Sequence, residues 1–488
     1  MKKIIYFIFI VSGLLLQGCD DFLDVKPKGF TIPELTGDYE RLLNSQDIQN
    51  VLDNYPVYIT DDILLCDEGA GGDMNGFEFK GIDESKRNLY TFQHGQVFTP
   101  GNNDQIWNGA YSNIFTYNAV ANNVMSATDG TEVDKKHLRG EALVGRAFEY
   151  LNLVNVYAKH YDEKTAASDL GVPIILSEEV GSTATYTRNT VAEVYQRIED
   201  DLNEAVGLLK DKVSNSYHPT KSIAYAFLSR VYLYKGDYDK ALTNANKALE
   251  INKELIDYKP YKAIKGQWRH IVLADDETQT FPEEGKSLEN IYTRQFWNSN
   301  NLFKAICASK DLLDTFESQL APGAEDMRLK LFFFDGAMDP GSGMQYFPGF
   351  QMYAPYITVC SGFSTPEIYL IAAECEARVG SVAKALGHLN TLRDMRIKNN
   401  VHYVNTPEKT REEALKLVID ERRREFVFNG IFRLIDLKRL NRESWFAKTI
   451  THSADGETWT LPPNDPRYIM PVPENVLDYK PDMPQYER

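Results

Sequence analysis

The stretch Ala224-Tyr-Ala-Phe-Leu-Ser-Arg-Val-Tyr-Leu-Tyr-Lys-Gly236-Asp-Tyr-Asp-Lys-Ala241, continuing to Ala245 and Ala248, decides the fold. Leu228, Ser229, Tyr232, Gly236, Tyr238, Ala241 and Ala248 each have the size that a tetratricopeptide-like unit needs at that position. Small residues facing large ones let two antiparallel helices approach closely, and Gly236-Asp237 makes the turn between them. A second window, Ile368 to Leu392, keeps the same register through Ala372-Ala373, Gly380, Ala385 and Leu389, with Glu376 where the large aromatic residue would stand.

Outward from these pairs, further segments repeat apolar residues every three to four positions. Leu143, Ala147, Leu151, Val154 and Ala158 form one such series, and Val191, Val194, Ile198, Leu202, Ala205 and Leu209 another. The second is preceded by the capping residues Asn189-Thr190 and carries Glu193 in its first turn. A helix from about Asn103 to Met125 sets Trp107, Tyr111 and Ile114 at helical spacing, which assigns Trp107 to the core. The whole reads as a mostly α chain of stacked helical pairs. Between the pairs, residues 66–103 are rich in glycine, and residues 258–363 in Trp, Tyr, Phe, Pro, Gly and Asn, so neither stretch propagates helix.

The 488 residues carry a formal charge of −17, from 70 acidic against 53 basic side chains, which repels polyphosphate and excludes a nucleic-acid-coating role. Neutral ligands of sugar or peptide type remain. The chain opens with Lys2-Lys3 and an apolar run from Ile4 to Leu16, short of the about 20 residues that span a bilayer, and this is the pattern of a secretory signal. Leu16-Gln17-Gly18-Cys19 closes the run and resembles a bacterial lipobox, in which Cys19 would be acylated and hold the body on a membrane. Cys66, Cys307, Cys360 and Cys375 lack CxxC spacing, and their expected state is free, buried and apolar.

The order of motifs along the chain resembles the SusD/RagB family of outer-membrane nutrient-binding lipoproteins from Bacteroidota. The resemblance begins at Cys19-Asp-Asp-Phe-Leu-Asp24 and runs through Trp107-x3-Tyr111-x2-Ile114-x3-Asn118, Arg146-Ala-Phe-x-Tyr150 and Arg188-Asn-Thr-Val-x-Glu193 to the Ala224–Ala248 pair. Its most specific portion is C-terminal: Glu367-Ile-Tyr-Leu-Ile-Ala-Ala-Glu374, Glu421-Arg-Arg-Arg-Glu-Phe426-x2-Asn429-Gly430-x-Phe432-Arg433-x2-Asp436-Leu437-Lys438-Arg439, and Ile469-Met-Pro-Val-Pro473. The resemblance implies four tetratricopeptide-like units on one side of a helical body and a loop-rich binding region on the other. It also implies an oligomeric nutrient, commonly a glycan, and a SusC-like TonB-dependent transporter as partner. The expected organisation is a signal at 1–18, an N-terminal helical region at 19–257, an aromatic insert at 258–363 and a C-terminal SusD/RagB region at 364–488.

Glycan platforms stack the apolar face of a sugar ring on an aromatic ring while amides and carboxylates take the hydroxyls. The insert offers Trp268, Trp297, Asn298, Tyr346, Phe350 and Tyr353 as ligand-binding candidates, with Trp297-Asn298-Ser299-Asn300-Asn301 the best local chemistry. Each ring taken singly also has a packing explanation, and the argument rests on the group. The Arg422-Arg423-Arg424 run reads as an ion-pair network between helices, with Asp420 paired to Arg424. Asp61-Asp62 reads as a solvated turn with a secondary possibility of ligand contact.

No metal or cofactor is expected: the eight His are isolated, HExxH is absent, and His137 with Glu141 on one helical face does not close a site. GxSxG, Walker A and GxGxxG motifs are missing, so the expectation is a binding protein and not an enzyme. Two alternatives stand beside it. A glycoside hydrolase needs only two carboxylates about 5–10 Å apart. A tetratricopeptide scaffold for an envelope complex would have little use for the aromatic insert.

Overall fold

The computed structural model describes residues 33–49, 53–67, 79–101, 104–178, 186–264, 270–282, 287–295, 306–336, 349–354, 362–404 and 410–488. Nine helices carry the architecture: α1 Gln105–Asn123, α2 Glu132–Tyr157, α3 Val191–Leu208, α4 Lys221–Lys235, α5 Tyr238–Ile251, α6 Thr365–Arg378, α7 Val382–Asp394, α8 Arg411–Glu425 and α9 Gly430–Leu440. Each packs on its neighbour from α1 to α7, α6 also packs on α8, and α9 returns to α2. The chain is therefore mostly α, a superhelix of antiparallel pairs, and the expected pairs around Gly236 and Gly380 are α4–α5 and α6–α7. Gly236 ends α4 at φ 79°, a left-handed conformation that costs a side-chain-bearing residue steric strain.

Local chemistry fixes where the helices begin. Asp104 accepts hydrogen bonds from the N–H groups of Ile106 and Trp107 at the start of α1. Thr190–Glu193 and Thr410–Glu413 form reciprocal capping boxes at the starts of α3 and α8. Trp107 is buried edge-on to Tyr157, at 4.8 Å between ring centroids, as a core residue should be.

The polar residues of the motifs quoted above clasp one helix to the next. Arg146 of α2 donates to Asp201 of α3 at 2.7 and 2.8 Å and to Asn118 of α1 at 2.8 Å. Arg230 of α4 grips Glu367 of α6 in the same two-pronged manner, with both groups buried. The Arg422–Arg424 run is such a network, but its partners differ from the expectation. Arg422 donates to Asp436 of α9 at 2.9 Å, and Arg423 donates to Asp62 at 2.7 Å. Arg424 pairs with Glu421 at 2.7 Å, one turn back, and not with Asp420, whose carboxylate accepts from Gln319. Asp61 and Asp62 are not a solvated turn. Both are buried, and Asp61 accepts two hydrogen bonds from Arg433, 372 positions away. Burial would raise the Asp61 carboxyl, yet Arg423 and Arg433 hold it well below the carboxylate range.

Strands are short, and among the described residues they form six two-stranded sheets. Four matter below as two pairs: β1 Ile63–Leu64 with β2 Cys307–Ala308, and β3 Phe333–Asp335 with β4 Gln351–Tyr353. The hairpin β5 Ile450–Ala454 and β6 Glu457–Leu461 is the longest. The N-terminal segment is seated on α9 by Asn54, whose amide donates to the Phe428 carbonyl and accepts from Gly430 N–H. A Cβ on Gly430 would stand 2.2 Å from the Val57 nitrogen, so only glycine permits this approach.

Candidate functional site

A depression of 720 Å³ opens beside the tip of the β5–β6 hairpin and is lined by Phe79, Lys80, Arg87, Asn88, Thr91, Asp455, Glu457 and Trp459. The hairpin is built by its turn. Asp455 and Gly456, at φ 52° and 78°, are the two central residues, and two positive φ values match the twist of the flanking strands. Alternation along the strands then puts His452 and Trp459, which face each other across the pair, on one side.

From Trp459 an aromatic column runs inward. Trp459 leans on Phe79 at 5.4 Å and meets the edge of Tyr90 at 6.5 Å. Tyr90 stacks on the His452 ring at 4.1 Å, and Phe92 covers the other side at 4.6 Å. The two His452 nitrogens each lie 2.8 Å from a carbonyl oxygen, of Tyr90 and of Thr60, and burial lowers the basicity of the ring. Burial also pushes the Tyr90 phenol up to about 12. The inner end of the column is rigid and dry, whereas Trp459 at the outer end is only half-buried.

Polar groups surround the half-buried tryptophan. Lys80 pairs with Asp455 at 3.1 Å, and the Asp455 N–H donates to Asp67 at 2.7 Å, which ties the hairpin tip to the end of the N-terminal loop. Arg87 is oriented by the carbonyls of Lys80 and Ile82, and the Asn88 amide by that of Val97. An aromatic ring, a guanidinium, an amide and carboxylates around an open hollow form a set that can stack a sugar face and take its hydroxyls.

Of the residues expected from the insert, Trp268, Trp297, Asn298 and Tyr346 lie outside the described residues, as does Cys19. Phe350 is half-buried against a small apolar cluster with Cys66, Cys307 and Met352. Tyr353 is a correction. Pairing of β4 with β3 buries its ring at 5.0 Å from Phe333 and 5.4 Å from Phe428, so it packs the core and has no open face for a ligand. The hairpin was missed in the sequence although Asp455-Gly456 between alternating segments is its signal.

A second hollow, of 570 Å³, lies where Lys210 and His218 meet α2. Glu141 accepts there from His137 at 3.0 Å and meets the His218 ring at 2.9 Å, and the Lys210 N–H donates to the His137 ring. The polar atoms are spent on one another. Among the described residues no group of three or more His, Cys, Asp or Glu side chains is placed to share a metal ion.

Residues 21–233 match the SusD-like family described as starch-binding and associating with the outer membrane, and residues 365–487 match the SusD family proper. The chain belongs to the SusD/RagB family. A SusD-like protein of Formosa agariphila is 25% identical over 484 residues, covering 88% of this chain and 90% of its own. A SusD superfamily structure from Bacteroides thetaiotaomicron superposes with a TM-score of 0.67 at 20% identity, covering 93% of this chain and all of its own. A laminarin-binding SusD-like protein superposes at 0.60 with 18% identity, covering 92% and 98%. At such identities the superpositions establish the SusD fold. Neither family match reaches residues 234–364, the span that contains the aromatic insert.

Proposed function

We propose that the chain is a cell-surface lipoprotein that binds an oligomeric nutrient, in the first place a glycan, and delivers it to a SusC-like TonB-dependent transporter. The observation that carries the reading is the open hollow beside Trp459, fitted with Arg87, Asn88 and Glu457, on a SusD frame. A stacked ring with a few hydrogen bonds in a wet, shallow site gives modest affinity, as a protein that must release its cargo requires. The family's association with the outer membrane and the laminarin-binding neighbour favour a neutral polysaccharide at the surface. The strongly acidic chain favours a ligand without phosphate. Acylation of Cys19 would supply the anchor. Trp268, Trp297, Asn298, Tyr346 and Phe350 remain the candidates from the insert, and no bond is broken by this chain in the proposed reading.

The test is calorimetric titration of lipid-free residues 20–488 with β-glucan, α-glucan and other oligosaccharides and with peptide mixtures, with the sugar products analysed in parallel. Saturable binding that weakens in Trp459→Ala, with no shortened oligomer, is the expected result. Binding that survives both Trp459→Ala and Trp297→Ala would place the ligand elsewhere. Shortened oligomers would replace the binding protein by a glycosidase. Co-purification of the transporter with the native lipoprotein checks the delivery step.

A further inference from the structure

Cys66 and Cys307 are brought together from 241 positions apart, with their sulfur atoms 3.7 Å from each other. Cys66 follows β1, and Cys307 opens β2, where it lies directly across from Leu64. Both are buried, and the walls around them are Met352, Leu64, Phe334 and Phe350. Among the described residues this apolar pocket sets each thiol against the other, and contact with Cys66, together with burial, pushes the Cys307 thiol far above its ordinary range. Cys375, by contrast, is embedded in α6 beside its own helix neighbours. The sulfur atoms stand 3.7 Å apart where a disulfide needs about 2.05 Å, and the family works at the outer membrane, in the part of the cell where disulfides persist.

We infer that Cys66 and Cys307 are joined by a disulfide in the mature, exported protein. The oxidant is an envelope dithiol–disulfide oxidoreductase. One cysteine thiolate attacks its disulfide sulfur, giving a mixed disulfide and releasing the enzyme's second thiolate. The other cysteine thiolate then attacks the mixed disulfide, forming the Cys66–Cys307 bond and leaving the oxidoreductase as a dithiol. The two protons lost by the chain's thiols balance those gained by the enzyme. Because the folded pocket is closed, the exchange takes place before β1 and β2 have packed, and reduction afterwards requires local opening.

The bond would act on the candidate site. The Cys66 carbonyl accepts from Phe79 N–H at 2.9 Å, and Phe79 and Asp67, the neighbour of Cys66, both touch the Trp459 hairpin. On the other side, Cys307 stands shortly after Trp297 and Asn298. One covalent link would thus tie the residue that holds Phe79 beside the hollow to the stretch of sequence that follows Trp297 and Asn298. The inference rests on export of the chain and is independent of any ligand's identity.

The experiment is thiol mapping of the full-length lipoprotein, trapped by acid and alkylated under denaturing conditions before and after reduction, then digested. The expected result is a Cys66 peptide cross-linked to a Cys307 peptide, two hydrogens lighter than the separate thiols, with Cys375 alkylated in both samples. In Cys307→Ser, Cys66 is expected to become alkylatable without reduction, and in Cys375→Ser the cross-link is expected to persist. Full alkylation of Cys66 and Cys307 in the unreduced protein would overturn the inference, as would a cross-link from either of them to Cys360 or Cys375.

Discussion

The network around α8 and the hollow beside Trp459 contain the same kinds of side chain in opposite states. In the network, Glu421 is fully buried and receives Arg328, Arg393 and Arg424 at 2.6 to 2.9 Å. Burial opposes its ionisation, and the three guanidiniums hold its carboxyl well below the usual range. In the hollow, Lys80 pairs with Asp455 while remaining largely in solvent. A run of charge such as Glu421-Arg-Arg-Arg-Glu looks like a binding clamp and is framework, whereas the proposed site is a single tryptophan on a hairpin with unremarkable polar neighbours. Charge density marks function poorly once the charges are desolvated and matched.

The contrast can be broken most severely at Glu421. Glu421→Ala takes a shared carboxylate from three buried guanidiniums, of which Arg328 keeps Asp326 and Glu425 while Arg393 loses its carboxylate partner, and is expected to cost about 3–5 kcal/mol, read as a shift of the urea midpoint; a loss below about 1 kcal/mol would show that the network is solvated. The next largest effect is one of pH. Glu149, buried on α2 with one carboxylate oxygen bonded to Asn113 and the other unmatched among the described residues, has its pKa raised by burial to about 8. A raised folded-state value means that the native protein holds the proton more tightly than the unfolded chain. Its contribution to stability is complete below about pH 4.5 and is lost as pH rises toward about 8. Glu149→Gln should therefore flatten the decline of Tm between pH 5 and 8, and an unchanged slope would assign the decline to other groups.

At the hollow, Trp459→Ala is expected to weaken oligosaccharide binding about tenfold, near 1.4 kcal/mol, with a smaller effect on the urea midpoint; the reverse ratio would make Trp459 a core residue. The smallest effect belongs to Lys80→Ala. An exposed pair of this kind contributes about 0–1 kcal/mol, and salt should erase what little is there. A large loss of stability from Lys80→Ala would remove the distinction between the two regions.

The helical scaffold was legible in the sequence because its information is local. Thr190 and Glu193 are three positions apart, and the small residues that let α4 and α5 meet repeat within two turns. Asp61 and Asp62 were misread because their partners, Arg423 and Arg433, are more than 360 positions away, and a lone acidic pair carries no mark of a distant guanidinium. Tyr353 was misread for the same reason: its burial comes from pairing with β3 and from Phe428. The Trp459 hollow joins residues 79–91 to 455–459, a juxtaposition that no sequence window contains.

The way the two ends of the chain meet has a consequence for timing. Asn54 is fastened to Phe428 and Gly430, the Val156 carbonyl receives Met470 N–H, and the Arg488 carbonyl receives Gly95 N–H. A polypeptide made amino end first can stack α1 to α5 as they emerge, since those contacts are close in sequence. It cannot close the clasp until the last helices and the tail have followed. The N-terminal segment must therefore wait with its buried-to-be carboxylates exposed, soluble and unsatisfied, until the guanidiniums arrive. Asp61 and Asp62 thus make arrival of the C-terminal helices a condition for completing the fold, and a chain truncated before Arg423 would remain open at its beginning.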